Sequence, residues 1–172
     1  ATFDATGRGD WGGSGTVQYD SSINAYVLQQ TDRDLTEGDM IPGDWSNRNI
    51  RVSGNAAAYA DFPAGAGLNF QRADGSLSYV YWQARPAHTG YGDFSFILTL
   101  PQNVVAIRPF LNSDGNWGVA GHGVNWRSIR MEDITQETRA SGFADAGAAH
   151  AATASAANDA AGKSAQAAEV SN

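Results

Sequence analysis

Aromatic side chains are the residues of this chain whose chemistry is most suggestive. The sequence contains 5 Trp, 6 Tyr and 7 Phe in 172 residues. A flat ring packs against the apolar C–H face of a sugar, while polar groups at its edge bond the hydroxyls. Trp117, between Asn116 and Gly118, and Tyr91, in a glycine-rich segment, are the first candidates, and Trp126 is a third. The polar side chains expected beside Trp117 are Arg108, Asn112, Asp114 and His122.

Core packing is the competing explanation for the aromatic residues, and we expect it to account for more than half of them. Trp82 shares a period-two face with Val80 and Ala84, so it is predicted to lie in the core. The sequence leaves both roles open for Trp45 and Trp126.

Other kinds of site chemistry find little support in the sequence. There is no Cys, which removes disulfides, thiolate nucleophiles and cysteine zinc sites together. His88, His122 and His150 lie far apart in the chain, without metal-ligand spacing. Neither a nucleophile elbow nor a phosphate-binding glycine loop occurs in the sequence. The sequence also identifies no pair of carboxylates that could hydrolyse a glycosidic bond. The sequence therefore predicts a protein that is not an enzyme.

Charge and composition restrict the possible partners. The formal net charge of −7 disfavours nucleic acid, which is bound by clustered Lys and Arg. No run approaches the ~18 apolar residues that span a bilayer, so we expect no membrane insertion. No signal peptide is visible. The chain begins with Ala, as a processed chain or a piece of a longer protein would.

Short apolar runs separated by turn residues predict an all-β sandwich or barrel. The segment 104–131 is interpreted as two late strands joined by a Trp-bearing loop, with Asn112 among the residues that end the first strand. Phe94, Phe96, Leu98 and Leu100 fall on one predicted face, with Thr99 on the other. The further strands are predicted at 16–19, 25–29, 50–52, 58–62, 68–71 and 79–82.

Five carboxylates make residues 31–47 acidic: Asp32, Asp34, Glu37, Asp39 and Asp44. Such a cluster could bind calcium, but the spacing is not that of an EF-hand loop. A solvated loop is the preferred interpretation.

Composition changes at about Thr138. From Ala140 to Asn172, 15 of 33 residues are Ala, which has the best intrinsic helix propensity. Ala154, Ala161 and Ala168 recur every seven residues, forming a small-residue seam compatible with a parallel coiled coil. A frayed helical linker is the alternative. Segments of this composition are typical of phage tail fibres and tail-tip proteins, which are commonly trimers.

Several segments in order resemble jelly-roll carbohydrate-binding modules. They are Ile41-Pro42, the strand Ile50 to Gly54, the hairpin Phe70 to Gly75, and Arg108-Pro109 with the loop and strand that follow. The resemblance implies a jelly-roll β-sandwich that binds glycans without catalysis. These families often hold a structural calcium near the chain start and final strand, but Arg127 stands where they often carry Asp, so the metal remains an open question.

Together these observations predict a β-sandwich at residues 1–138, of galactose-binding or carbohydrate-binding-module type, and an Ala-rich α-helix at 139–172 that forms a trimeric coiled coil. The expected function is attachment of a phage tail fibre or tail-tip protein to host-surface polysaccharide, in the extracellular virion tail. The alternatives are a binding module of a secreted polysaccharide-degrading enzyme and a fibre spacer without a ligand. No cofactor is expected, apart from the possible structural calcium.

Overall fold

The computed structural model describes residues 1–31, 33–59, 63–113 and 123–140. Within these ranges the chain forms eleven strands and one short helix. Their bounds are β1 Gly12–Gly13, β2 Thr16–Asp20, β3 Ala25–Gln30, β4 Leu35–Glu37, β5 Ile41–Pro42, β6 Asn49–Ala58, β7 Ala64–Arg72, β8 Leu77–Arg85, β9 Thr89–Thr99, β10 Val104–Ser113, β11 Val124–Asp133 and α1 Thr135–Ala140.

The strands form two antiparallel sheets. A six-stranded sheet has the order β1-β4-β10-β7-β8, with β5 also paired to β10, and a five-stranded sheet has the order β2-β3-β11-β6-β9. Hairpin partners pair in both sheets, β2 with β3 and β7 with β8, but other neighbours come from distant parts of the sequence, as the pairing of β3 with β11 illustrates. The protein is thus a jelly-roll β-sandwich, and the predicted fold class is confirmed.

The core lies between the two sheets and follows the period-two pattern of the sequence. Phe94, Phe96 and Leu98 on β9 face Leu68 and Phe70 on β7 across it, and all are buried. Burial of each such side chain contributes about 1.5–3 kcal/mol. The predicted buried stripe of β9 is therefore confirmed, as is the core position of Trp82, which packs against this cluster.

A bulge interrupts the regular alternation of faces at the start of β10. Its pairing with β7 shifts register between Val104 and Ala106. As a result Val104 is buried and Val105 is 41% exposed, whereas a regular strand would place Val105 on the same face as Ile107 and Leu111. The extra residue of a bulge reverses the faces on one side of it, which the sequence pattern does not reveal.

Several predicted boundaries differ from the observed ones. β9 begins at Thr89, so Tyr91 lies within a strand rather than in a loop. β6 runs through to Ala58, so the strand predicted at 58–62 does not begin there, and residues 60–62 lie outside the described residues. The acidic segment 31–47 contains the short strands β4 and β5. The Ala-rich segment from 141 onward also lies outside the described residues.

Helix α1 covers one end of the five-stranded sheet. Asp133 caps it, because its Oδ1 accepts the Thr135 backbone N–H at 2.9 Å. Asn49 donates from its side chain to Thr138 Oγ1 at 2.9 Å and accepts from Thr99 Oγ1 at 2.6 Å. Thr99, expected on the solvent side, is consequently buried. No helix in the described part of the chain is long and apolar enough to cross a membrane.

Candidate functional site

The outer face of the six-stranded sheet, which points away from the sandwich core, carries a set of polar and aromatic side chains. On β10, Ile107 and Leu111 belong to the core, so Arg108, Phe110 and Asn112 occupy the outer face. Residues paired across a ladder share a face. The ladders of β4, β7, β8 and β10 then give three neighbouring rows on this face: Arg108, Asn69 and Tyr79; Glu37, Phe110, Gly67 and Tyr81; Leu35, Asn112, Gly65 and Gln83.

Three aromatic rings are in contact with one another on the outer face. Tyr79 stacks on Tyr81 with ring centroids 5.8 Å apart, and Tyr81 meets Phe110 edge to face at 6.1 Å. Gly67 lies between the strands of Tyr81 and Phe110, and without a side chain it leaves room for them to meet. Tyr81 and Phe110 are 8% and 4% exposed, so Tyr79, at the partly exposed end, is the ring available to a ligand.

Polar groups lie beside Tyr79. Asn69 donates to Glu37 Oε2 at 3.3 Å, and the same oxygen lies 3.5 Å from an Arg108 guanidinium nitrogen. These three side chains, with the exposed Met40 and Leu77, surround a depression of about 330 Å³ beside Tyr79. Among the described residues, Arg108 Nε and Asn112 Oδ1 have no hydrogen-bond partner.

A second depression of about 470 Å³ continues from the first, because Glu37 and Arg108 line both. It extends along the outer face toward Asp10, Trp11 and Asp39. We call the two depressions together the groove. Tyr79 lies at one end of the groove, and Trp11, whose side chain also packs against the core, lines the other. Carboxylate, amide and guanidinium groups lie between them. This combination of flat apolar surface and hydroxyl-bonding groups suits a polyhydroxylated ligand.

The structure brings together only part of the predicted site. Arg108 and Asn112 lie on one face of β10, four residues apart, and Arg108 lines the groove. Asp114, Trp117 and His122 lie outside the described residues, so their expected roles remain predictions.

Trp126 is a correction to the predicted site. It is 0% exposed, and its Nε1 donates to Gln30 Oε1 at 2.7 Å inside the core. Phe94 packs against it edge to face at 5.8 Å. With its faces covered in this way, Trp126 has no ring surface for a sugar.

Tyr91 lies on the five-stranded sheet, on the opposite side of the sandwich from Arg108. Its hydroxyl donates to Asp20 Oδ2 at 2.6 Å and accepts from Asn125 Nδ2 at 3.1 Å. Burial, followed by the bond to Asp20, raises the pKa of Tyr91 well above its usual value. Hydrogen bonds from Ser22 and Tyr91 lower the pKa of Asp20. Near neutral pH, then, Tyr91 is a neutral donor and Asp20 a charged acceptor.

The described residues contain no group of three or more His, Cys, Asp or Glu arranged to hold a metal ion. Of the five acidic residues of segment 31–47, Asp32 lies outside the described residues. Asp34 accepts from Thr31 N at 2.7 Å, and Glu37 lies in the groove.

Sequence reasoning missed Tyr79, Asn69 and Glu37. Tyr79 and Tyr81 alternate with Val80 and Trp82, so the period-two pattern separates two faces of β8. Because Trp82 and Val80 were predicted to lie in the core, the same pattern could have placed both tyrosines on the outer face. The approach of Glu37 and Asn69 depends on strand order and has no local signal.

Two antiparallel sheets packed face to face, with an aromatic and polar groove on one outer face, form a jelly-roll β-sandwich. The fold is similar to a family 16 carbohydrate-binding module, with a TM-score of 0.56 and 11% identity over 76% of this chain and 96% of that one. It is also similar to the CBM22-1 xylan-binding domain of Paenibacillus barcinonensis Xyn10C, with a TM-score of 0.50 and 12% identity over 75% and 85% of the two chains.

A third similar structure is the enzymatically active domain of tailspike protein 4 from bacteriophage CBA120. Its TM-score is 0.53 and its identity 10%, over 73% of this chain and 20% of the tailspike chain. This chain thus spans about a fifth of that protein. No protein-family model matches the sequence, and no curated protein does so either. At these identities the likenesses concern the fold.

Proposed function

We propose that this protein is a non-catalytic glycan-binding domain and that the groove is its binding site. The observation that carries the proposal is the partly exposed Tyr79 ring beside Asn69, Glu37 and Arg108. A pyranose stacked on Tyr79 would place hydroxyls at these groups, which offer both acceptors and donors. The similarity of the fold to carbohydrate-binding modules supports the proposal.

The groove favours a neutral glycan. The carboxylates of Asp10, Glu37 and Asp39 line it, and Arg108 alone among its named residues is cationic. An anionic glycan would meet net negative charge there and in the protein as a whole, whose formal charge is −7.

The test is a binding screen on neutral and anionic polysaccharides, including xylan, by calorimetry with the intact chain. For any glycan bound, we expect Tyr79→Ala to weaken affinity by about fivefold or more, since loss of an aromatic contact costs about 1–3 kcal/mol. Tyr79→Phe is the matched control. It keeps the ring and should retain most of the affinity.

Two results would count against the proposal. Binding that is equally strong in the wild type and Tyr79→Ala would place the glycan elsewhere on the molecule. An absence of binding to every polysaccharide in the screen would favour the spacer interpretation, in which the sandwich orients segments of a fibre.

The biological context that we propose is the tail of a phage, where the domain would help the virion attach to host-surface polysaccharide as part of a homotrimer. Two observations support this context: the Ala-rich composition of residues 140–172 and the likeness to part of a phage tailspike domain. The alternative is a module of a secreted polysaccharide-degrading enzyme. Its support is equally direct, because the chain covers nearly all of a carbohydrate-binding module.

A further inference from the structure

A second cavity lies on the opposite side of the molecule from the groove, on the outer face of the five-stranded sheet. Its volume is about 380 Å³. The lining residues come from β2, β3, β11 and the segment that follows β6, and they include Gln18, Asp20, Gln29, Tyr59 and Asn125. We call this cavity the tyrosine pocket, because Tyr59 lines it and Tyr91 bonds two of its residues.

Asn125 is the central polar residue of the tyrosine pocket. It is 7% exposed, between Val124 and Trp126, whose side chains point into the core. Its Nδ2 donates to Tyr91 Oη, but Oδ1 has no donor within hydrogen-bond distance in the part of the chain that the structure describes. An unsatisfied buried acceptor costs about 1–3 kcal/mol, so a ligand that donates to it gains affinity.

Asp20 supplies a second acceptor at the edge of the pocket. One of its oxygens is bonded to Tyr91 and the other to the backbone and hydroxyl of Ser22. A carboxylate offers about four lone-pair sites, so acceptor capacity remains after these bonds. Together with Asn125, it favours a ligand that brings hydroxyl donors and no negative charge.

Aromatic surface adjoins these acceptors. Tyr59 is 45% exposed, and Tyr91 holds its ring edge to face at a centroid distance of 6.0 Å. Tyr19 is 52% exposed and also lines the pocket. An exposed ring that is fixed by its neighbours loses little conformational freedom when a ligand stacks on it.

We propose that the tyrosine pocket is a second ligand site, independent of the groove, that takes one neutral sugar unit with adjacent hydroxyl groups. The sugar hydroxyls donate to Asn125 Oδ1 and the Asp20 carboxylate, and its C–H face packs on Tyr59. The amide of Gln18 lies within the same lining and bonds a further hydroxyl. An anionic sugar is excluded by Asp20.

The test is a nuclear magnetic resonance titration of the intact, ¹⁵N-labelled chain with methyl glycosides of glucose, galactose and mannose. Methyl glucuronide is the anionic comparison. We expect at least one neutral glycoside to shift the Asn125 side-chain amide and the Tyr59 backbone amide saturably. A single sugar unit should bind with a Kd of about 1 mM, and the glucuronide at least about tenfold more weakly, which a penalty of about 1.4 kcal/mol would produce.

Variants assign the shifts to the pocket. Tyr59→Ala removes an exposed ring and should weaken binding of the neutral glycoside by about tenfold. Tyr79→Ala, in the groove, should leave the affinity of the tyrosine pocket unchanged. Asn125→Ala should weaken it similarly. If Asn125→Ala loses the chemical-shift dispersion of a folded protein, the assignment of binding to the tyrosine pocket rests on Tyr59→Ala alone.

Three outcomes overturn the proposal without touching the function proposed for the groove. They are no saturable shift in the pocket with any glycoside, equal binding of the glucuronide, and shifts that persist in Tyr59→Ala but vanish in Tyr79→Ala. The last would place the single binding event in the groove.

Discussion

Gln30 is a polar residue in the centre of an apolar core, 0% exposed, and its side chain joins the two sheets. From β3 it accepts from Trp126 at 2.7 Å and donates to Thr36 Oγ1 at 2.9 Å and to the Leu111 carbonyl at 3.0 Å. Trp126 belongs to the five-stranded sheet, and Thr36 and Leu111 belong to the six-stranded sheet. A fully satisfied network of this kind specifies one arrangement of the sheets.

Replacing Gln30 by Met should lower the free energy of unfolding by about 2 to 6 kcal/mol. The side-chain volume changes little, but the Trp126 N–H loses its buried acceptor and the Leu111 carbonyl loses a donor, at about 1–3 kcal/mol each. Urea unfolding followed by tryptophan fluorescence measures the change. Gln18→Met, on the exposed side of β2, is the control and should change stability by less than about 0.5 kcal/mol. Equal effects for the two variants would contradict this account.

Single residues also show where prediction from the sequence succeeds and fails. Arg108 was expected beside a ligand, and the alternation of residues along β10 suffices to place it on the outer face. Asn112 was expected among the residues that end the strand, but β10 continues to Ser113. Trp126 was nominated although its neighbours Val124 and Ile129 are core residues. Its actual role depends on Gln30, which is 96 positions away in the chain, and no local pattern contains that contact.

Two glycines of β7 leave room for large side chains of the neighbouring strands β8 and β10 on the outer face. A Cβ at Gly67 would lie 2.2 Å from the Val80 carbonyl oxygen and 2.3 Å from Tyr81 Cβ. A Cβ at Gly65 would lie 2.1 Å from Asn112 Oδ1, so the Asn112 side chain occupies the space above this glycine. Along this part of β7, the strand therefore contributes only backbone to the outer face of the six-stranded sheet.

Gly67→Ala should destabilise the protein by about 2 kcal/mol or more, since the added methyl group meets a backbone oxygen that can move only with its strand. It should also displace Tyr81, and with it the Tyr79 ring, and so weaken any glycan bound in the groove. Thermal unfolding and calorimetry measure the two effects.

Gly90→Ala provides the matched control for Gly67→Ala. Gly90 also lies in a strand, but a Cβ there would meet nothing within 4 Å, so the change in stability should stay within about 0.5 kcal/mol. If both alanine variants were equally stable, close packing over Gly67 would not hold in solution.

Among the elements, the hairpins were the most predictable from sequence. The turn after β2 has Asp20 accepting from Ser22 N at 2.9 Å, and the turn after β7 has Asp74 accepting from Ser76 N at 2.8 Å. In both turns an Asp binds a backbone N–H two residues later, so the chemistry is local and visible in the sequence. The bulge in β10 depends on its pairing with β7, a distant segment of the chain, and was not visible.

For the whole molecule, the predicted domain boundary at 138 falls inside α1, whose Thr138 is bonded to Asn49. A truncation that leaves the sandwich intact should thus end at Ala140. It would remove the Ala-rich segment, which was predicted to form a trimeric coiled coil, and keep the helix that closes the sheet.

We expect light scattering to give a trimer for the intact chain of 18.1 kDa and a monomer for the chain ending at Ala140. The physical reason is the small-residue seam at seven-residue spacing, which buries enough surface only when several chains associate. The truncated chain should retain the same near-ultraviolet spectrum as the intact one, which controls for folding. A monomeric mass for both chains would remove the support for a fibre and favour the detached module.

The two sheets turn their outer faces in opposite directions, with the groove on one and the tyrosine pocket on the other. A stiff polysaccharide strand lying in the groove runs across one side of the sandwich and does not reach around to the other. Avidity within one strand, which needs a ligand long and flexible enough to span both sites, is therefore excluded by geometry. Two occupied sites would instead connect separate strands, so even a monomeric domain would act as a cross-linker and raise the viscosity of a dilute polysaccharide solution.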